Sequence, residues 1–284
     1  LMETEVWPNL VAACRRQGIP LVQANARLND ASLRKAQRLG WLARPAYRGL
    51  TAVWAQTEAD AQRLRALGAP VQGVFGNLKF DVEPDGAQLA QGRAWRTAHA
   101  QPVVLLASSR EGEEALWLDV LKQKVAPALT GQAPAAINSE VQWLIVPRHP
   151  QRFDAVEQML QAAGLSVARR SCWQGGPPRA DVWLGDSLGE MAQYYGLSDV
   201  ALLGGSFAPL GGQNLIEAAA CACPVVLGPH TFNFADAAQK ACAAGAAQRV
   251  DGMAQGVEAA CALACDAVAL ADPAMPTLSR STSA

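Results

Sequence analysis

Residues 209–219, PLGGQNLIEAA, place two glycines, two carboxamides and a carboxylate at the start of an apolar run with helical spacing. Two chemistries fit that pattern. One is a capping box, with Asn214 as N-cap and Glu217, three residues on, reaching back to the cap's own N–H. The other is a nucleotide site, because a helix N-terminus offers unpaired N–H groups to an anion, glycines allow close backbone approach, and a nearby carboxylate accepts from a ribose diol. GDSLGEM repeats the theme: Ser187 and Glu190 have capping-box spacing, with Gly189 expected inside the first turn. In PRHP the paired prolines hold Arg148 and His149 in an extended loop, where Arg148 offers a planar fork for a phosphate or a base carbonyl.

These groups need elements to hold them. Apolar, β-rich runs followed by helical periodicity recur along the chain, which argues an α/β protein with parallel sheets. A lead-in helix around WPNLVAACRRQG precedes the strand-like runs IPLVQAN, TAVWAQT and VQGVFG, with helices such as EADAQRLRALGA between them. A polar stretch from about Asp81 to Gln101, with Pro84, Gly86 and Gly92, reads as a linker. Beyond it come PVVLLASS, VQWLIVPR, LSVARRS, DVWLGDS, VALLGGS and PVVLGPH. Doubly wound halves usually carry five or six strands, so the first half looks truncated on its N-terminal side. Domains are expected at 1–90 and 91–284.

Most of the later strand candidates end in a small or polar cluster: Ser108-Ser109-Arg110, Pro147-Arg148-His149-Pro150, Gly185-Asp186-Ser187, Gly204-Gly205-Ser206 and Gly228-Pro229-His230. Ligands of open parallel sheets bind beyond the carboxyl ends of strands, so these clusters should converge on one rim. The glycines at 204, 205, 211 and 212 bracket a turn between strand and helix, an arrangement that cradles phosphate in many unrelated folds.

Composition narrows the classes. At 284 residues two domains are expected, and half the residues are hydrophobic. The net charge of −1 gives no support for a nucleic-acid or anionic-membrane surface built on bulk charge. Seven cysteines, mostly in Ala-rich helical stretches, read as small core residues of a reduced, cytoplasmic protein. No metal site is expected from them, since only His230 lies near Cys221 and Cys223. No run approaches the ~18 apolar residues that span a bilayer. The G-x-G-x-x-G spacing of dinucleotide enzymes is absent, and so is an Asp-x-Asp pair that would hold a metal on a diphosphate. Glu3-Thr4-Glu5 is the nearest acidic pair of that spacing.

With ETEVWPNL, ANARL, GNLKFD, REGEE, PRHPQRF, GDSLGEM, GGS, GGQNLIEAA and GPHTFNF in order, the chain resembles the 3-deoxy-D-manno-octulosonic acid (Kdo) transferases from about Met2 to about Leu270. The resemblance implies a GT-B fold of two Rossmann-like domains, the donor in the C-terminal half and the acceptor in the N-terminal half. It implies transfer of Kdo from CMP-Kdo to a lipid A precursor during lipopolysaccharide assembly, at the cytoplasmic face of the bacterial inner membrane, with no cofactor, metal or nucleic acid. Carried over by position, the CMP contacts fall on Pro147 and Arg148, on Leu188, Gly189 and Glu190, and on Asn214, Leu215, Ile216 and Glu217. Glu217 is then the ribose partner. Glu3 and Lys79 match positions that support the transition state, with Glu5 one offset from Glu3.

CMP is a monophosphate leaving group, so helix N-termini and Arg148 can stabilise its growing charge without a metal. Inversion at the anomeric centre requires a carboxylate base on the opposite face. The family's base and its membrane anchor lie upstream of the ETE motif and are not in this chain, and DPAMPTLSRSTSA replaces the closing helix of relatives. Gln213 and Leu215 stand where relatives often have His and Pro. The expectation is a fragment that binds donor and transfers no Kdo. A non-catalytic CMP-binding remnant and a GT-B enzyme using a UDP-sugar are the alternatives.

Overall fold

A computed structural model describes residues 1–125 and 140–271. The side chains of Lys79, Lys124, Val125 and residues 267–271 lie outside the described set, as does the DPAMPTLSRSTSA tail. The chain divides into two compact units, Leu1–Val82 and Glu83–Ala284.

The first unit alternates helix and strand: α1 (Pro8–Arg16), β1 (Val22–Ala26), α2 (Asp30–Arg38), α3 (Gly40–Arg48), β2 (Ala52–Ala55), α4 (Glu58–Ala66) and β3 (Val71–Val74). The strands pair in parallel in the order β1-β2-β3. Local chemistry sets the helix starts. Pro8 opens α1, where its missing N–H costs nothing; Asn29 Oδ1 accepts from Ser32 N–H at 2.8 Å, and Thr57 Oγ1 from Asp60 N–H at 3.1 Å. Val11, Ala26, Tyr47, Leu50, Val53, Leu64 and Leu67 form the core.

The second unit runs α5 (Gly86–Ala98), β4 (Val103–Ser109), α6 (Glu113–Val125), β5 (Gln142–Pro147), α7 (Phe153–Ala162), β6 (Val167–Arg169), β7 (Val182–Leu184), α8 (Met191–Leu197), β8 (Val200–Leu203), α9 (Ile216–Ala220), β9 (Val225–Leu227), α10 (Ala235–Ala243), β10 (Ala247–Arg249) and α11 (Met253–Ala271). Its seven strands are all parallel, in the order β10-β9-β8-β4-β5-β7-β6. β5 and β8 are buried along their whole length, as strands covered by helices on both faces must be. Trp117 of α6 meets Trp143 of β5 edge to face at 5.2 Å, inside this core.

Two sequence readings need correction. Residues 81–101 are mostly helix rather than linker: α5 occupies Gly86–Ala98 and belongs to the second unit, which begins at Glu83 instead of 91. The glycine that suggested a loop is there for packing. A Cβ on Gly92 would stand 2.1 Å from Gln193 O and 2.9 Å from Leu197 N, and one on Gly196 would stand 2.7 Å from Leu89 O, so α5 and α8 touch backbone to backbone. The second correction is β10, an edge strand whose residues, Ala-Gln-Arg, carry no apolar pattern. It exists because β9 offers an open ladder, which no local reading detects.

Gly92→Ala should therefore cost about 1–3 kcal/mol of stability, from overpacking against main chain that cannot yield. Gly86→Ala, with nothing within 4 Å of its added Cβ, should cost none. Urea unfolding followed by tryptophan fluorescence separates the two; equal midpoints would refute the packing role of Gly92.

Candidate functional site

Because the seven strands are parallel, the polar clusters that end β4, β5, β7, β8 and β9 lie on one edge of the sheet. The chain leaves β4 toward β5 on one side and later returns to β8 on the other, so the topological switch falls between β4 and β8. Ligands of open α/β sheets bind at that crevice. Main chain is crowded there: a Cβ on Gly204 would be 2.3 Å from Ser108 O, and one on Gly228 would be 2.3 Å from Ser206 O. Ser108 itself takes a left-handed conformation, φ +54°.

Glu113, at the start of α6, fills the switch point. Fully buried, its carboxylate accepts from Gly205 N–H at 2.7 Å and Arg110 N–H at 2.9 Å on Oε2, and from Phe207 N–H at 3.0 Å and Ala208 N–H at 3.2 Å on Oε1. This revises the reading of the Gly-rich turn as a phosphate cradle. Much of the loop's donor capacity is already satisfied by an internal anion, and Gly212 N–H and Gln213 N–H bond back to Gly205 O and Gly204 O. Glu114 is buried beside it in a bidentate pair with Arg152, at 2.7 and 2.9 Å, and accepts from Ser109 Oγ at 2.6 Å. Sequence reasoning quoted REGEE only as a motif. Two adjacent carboxylates opening an apolar helix were the available signal.

The residues named from the sequence take three places on this edge. Pro147 ends β5, buried; Arg148 N–H continues the ladder to Ser109 O at 3.0 Å, while its side chain is exposed and makes no hydrogen bond or ion pair among the described residues. His149 is extended ahead of Pro150, as a pre-proline residue must be.

The second place is the turn 187–190. Leu188 is exposed, and Gly189, at φ +78°, lies before α8 rather than within it. No reciprocal capping box forms here. Instead Ser187 Oγ donates to Glu190 Oε2 at 2.5 Å, and the Tyr194 hydroxyl bonds Ser187 in turn. Burial pushes the Tyr194 phenol up to about 12, which keeps it a neutral donor. Arg170 reaches Glu190 Oε1 at 3.1 Å with its guanidinium over the rings of Trp95, at 5.2 Å, and Trp173, at 5.6 Å. Gln88 Nε2 donates to Gly189 O at 3.0 Å. The turn is thus tied down by three separate elements.

The third place is 214–217. The helix begins at Ile216, not at Asn214. Asn214 Oδ1 accepts from Ile216 N–H at 3.1 Å and Asn214 Nδ2 donates to Glu217 Oε1 at 3.1 Å, so the carboxylate is held by the amide instead of reaching a backbone N–H. Leu215 and Ile216 are buried. Further along the edge, His230, Thr231, Phe232, Gln239 and Arg249 line a cavity of about 540 Å³ at the ends of β9 and β10.

Glu3 and Lys79 belong to the first unit. Glu3 adopts φ +52° and is clamped to β1 through Glu3 N–H to Ala24 O at 3.1 Å and Gln23 Nε2 to Glu3 O at 2.8 Å, with Arg27 3.6 Å from its carboxylate. Glu5 is exposed. Asn25, buried at the end of β1, bonds Asn77 Oδ1 at 3.3 Å and accepts from Leu78 N–H at 3.2 Å. That anchors the 3-10 turn Leu78–Phe80, whose Lys79 side chain lies outside the described residues. Among the described residues no group of three His, Cys, Asp or Glu could hold a metal ion, and no helix is long and apolar enough to cross a membrane. Cys172 is exposed while Cys221, Cys223 and Cys261 are buried, and among the described residues no two cysteines form a disulfide.

Comparison with known proteins follows the same division. Residues 1–82 match the family model described as 3-deoxy-D-manno-octulosonic-acid transferase (kdotransferase). A 3-deoxy-D-manno-octulosonic acid transferase of Bordetella pertussis is 54% identical over 250 residues, 88% of this chain and 57% of that protein. One from Haemophilus influenzae is 34% identical over 238 residues, 82% of this chain and 53% of that protein. The chain thus spans about half the length of the curated relatives it matches. Among solved structures, the C-terminal CMP-Kdo binding domain of WaaA from Acinetobacter baumannii aligns with TM-score 0.51 and 29% identity, covering 65% of this chain and 99% of that one. UDP-GlcNAc 2-epimerase from Methanocaldococcus jannaschii aligns over 90% of this chain and 66% of its own, with TM-score 0.50 and 12% identity, a likeness of fold alone. The two parallel-sheet units are of the GT-B type.

Replacing Glu113 by Gln should destabilise the chain by about 3 kcal/mol, because an amide N–H₂ would face backbone donors that have no other acceptor. Glu111→Gln, on an exposed position two residues earlier, should change stability by less than about 0.5 kcal/mol. Denaturant midpoints of the two variants decide it, and indistinguishable values would remove Glu113 from its structural role.

Proposed function

Since the chain belongs to the family of 3-deoxy-D-manno-octulosonic acid transferases, we propose that its second unit binds CMP-Kdo and that the protein transfers Kdo to a lipid A precursor at the cytoplasmic face of the bacterial inner membrane. The observation that carries this reading is the 29% identity to a CMP-Kdo binding domain over 99% of that domain's length. It falls on a chain whose polar clusters meet at the switch-point edge of a parallel sheet.

Each set of residues then has a task. Arg148, exposed and without a protein partner among the described residues, supplies a guanidinium fork for the phosphate or the base. Leu215 and Glu217 have backbone N–H groups with no acceptor among the described residues, and these can donate to the phosphate. Glu217, steadied by Asn214, accepts from the ribose diol with the lone pairs its amide partner leaves open. Glu190, held by Ser187 and Arg170, is a second carboxylate of fixed orientation on the same edge. As the bond to the anomeric carbon breaks, negative charge grows on the CMP phosphate. Donors already in place stabilise it without reorganising. A monophosphate leaving group needs no bridging metal for this, so binding and departure of CMP rest on protein groups alone. Glu3 and Lys79 are proposed as transition-state supports from the acceptor side, Glu3 through a carboxylate on a rigid, left-handed backbone.

CMP should raise the melting temperature of the chain with no added metal. At a hundred times Kd the gain is about 2.7 kcal/mol, ample for a thermal-shift measurement, and EDTA should not alter it. A larger shift with UDP, or loss of the shift in EDTA, would overturn the assignment.

Glu217→Ala should weaken CMP binding by about 1.5–3 kcal/mol while costing the fold about 1 kcal/mol or less, because Asn214 and not Glu217 bonds the first helical N–H. Calorimetric titration beside denaturant unfolding reads both quantities. Normal affinity for CMP in a destabilised variant would make Glu217 a structural residue only.

A further inference from the structure

The cavity of about 540 Å³ at the ends of β9 and β10 is walled by three elements of the second unit. His230, Thr231 and Phe232 follow β9; Gln239 and Cys242, three residues apart, share one face of α10; Arg249 closes β10. Its polar groups have no use inside the protein. The His230 imidazole, the Thr231 hydroxyl, the Gln239 carboxamide and the Arg249 guanidinium form no hydrogen bond or ion pair among the described residues. His230 is half-buried and Gln239 and Arg249 are exposed, so water can serve them. Thr231 differs, being only 4% exposed. A hydroxyl so deeply buried ordinarily finds a protein partner. Its methyl lies on the Gly212 side, 3.8 Å from where a Cβ on that glycine would stand. No carboxylate lines the cavity, and Asp236, at the start of α10, is paired with Lys240 at 2.9 Å. An imidazole, a guanidinium, a hydroxyl and an amide without an acid among them suit a ligand that carries both negative charge and hydroxyl groups.

This wall is continuous with the turn that leads into Asn214–Glu217. Asn233 N–H donates to Gly211 O at 3.0 Å, Asn233 Nδ2 donates to Leu210 O at 3.0 Å, and His230 N–H donates to Ser206 O at 3.0 Å. A Cβ on Gly211 would stand 2.6 Å from the Phe232 ring, and one on Gly212 3.4 Å from His230 O. A group attached to a phosphate at the start of α9 therefore has this cavity beside it. The chemistry of the donor calls for such a neighbour. In CMP-Kdo the carboxylate and the phosphate hang from the same anomeric carbon, so two anions enter side by side. Arg148, assigned to the nucleotide, leaves the second without a cation.

We propose that the cavity between β9, α10 and β10 is the subsite for the sugar acid of the donor. Arg249 and His230 meet the carboxylate, Thr231 and Gln239 meet hydroxyls, and the exposed Phe232 ring lies against the apolar face that a deoxygenated ring carbon provides. The proposal rests on the CMP-Kdo reading and adds to it the residues that distinguish the sugar from the nucleotide. Polar groups placed to bond a ligand discriminate strongly against an analogue that lacks the matching group, because they are then left unpaired.

The experiment is calorimetric titration of the full chain with CMP, with freshly prepared CMP-Kdo and with the C1 carboxamide of CMP-Kdo, which keeps the shape and loses the charge. Expected for the wild type is binding of CMP-Kdo about tenfold or more tighter than either CMP or the carboxamide. H230A/R249Q should bind CMP-Kdo about tenfold or more weakly than wild type, with its affinity for CMP kept within about twofold. If that variant misfolds by circular dichroism, Arg249→Gln alone, at an exposed position, is read in its place. Thr231→Val should weaken CMP-Kdo about three- to tenfold and leave the urea midpoint unchanged or higher, since a methyl in place of an unpartnered hydroxyl removes no internal bond. Equal affinity of the wild type for CMP and CMP-Kdo, or for carboxylate and carboxamide, would overturn the subsite while the nucleotide reading stands. So would undiminished CMP-Kdo binding by the charge variant. A parallel loss of CMP and CMP-Kdo in that variant would also overturn it, making His230 and Arg249 supports of the nucleotide. A destabilised Thr231→Val with normal affinity would make that hydroxyl structural and strike it from the subsite. A wild type that binds neither ligand overturns both readings.

Discussion

The edge of the second sheet depends on one buried carboxylate. Glu113 is fully buried where β4 and β8 part, and an ion in that position is tolerated only when hydrogen-bond donors surround it. The 204–208 loop has the complementary need, several backbone N–H groups turned away from any ladder. Each satisfies the other. The glycines at 204 and 228 follow from this arrangement, since the loop can close over Glu113 only if main chain passes at distances a Cβ would forbid.

The consequence for ligand binding is a division of labour. A Gly-rich loop after a strand is commonly a place for phosphate, but here a protein carboxylate already occupies most of its donors. The polar groups left for a ligand stand on either side of the loop. Arg148 follows β5, the turn at Leu188–Glu190 follows β7, and Asn214–Glu217 opens α9. These groups differ in how firmly they are held. Glu190 and Glu217 each have a protein partner that fixes orientation while leaving acceptor capacity, whereas the exposed Arg148 side chain has no partner among the described residues.

Charge organises the molecule at a coarser level as well. Carboxylates on the second sheet's edge are mostly engaged by arginines: Glu114 by Arg152, Asp186 by Arg169 and Glu190 by Arg170. Arg169 holds Asp186 together with Ser171, and these bonds keep that carboxyl below the usual range despite the opposing effect of burial. On α2 and α3 the opposite condition holds. Five cations lack acidic partners there, and the sequence between β1 and β2 contains no acid after Asp30 that could supply one.

The sequence by itself determined the parallel α/β architecture, because runs such as VVLLASS and QWLIVP are apolar on both faces and cannot be half-exposed strands. It determined the polar edge too, since parallel strands must place their C-terminal clusters together. Motifs in order along the chain identified the family. What it left to tertiary structure is of one kind: the partner of each polar group. Spacing suggested that Asn214 and Glu217, and Ser187 and Glu190, formed capping boxes; in the fold the side chains of each pair bond each other, and Arg170, twenty residues from Glu190, joins that carboxylate. Gly92 looked like a linker residue because its reason for being glycine, the backbone of Gln193, is about a hundred positions distant. β10 carried no apolar signal because its stability comes from the neighbouring ladder. Glu113 stood in plain view within REGEE, yet its role required the loop after β8. Periodicity and composition are local properties and survive in one dimension. Hydrogen-bond partners and close contacts between distant segments are properties of the packed chain, and only folding assigns them.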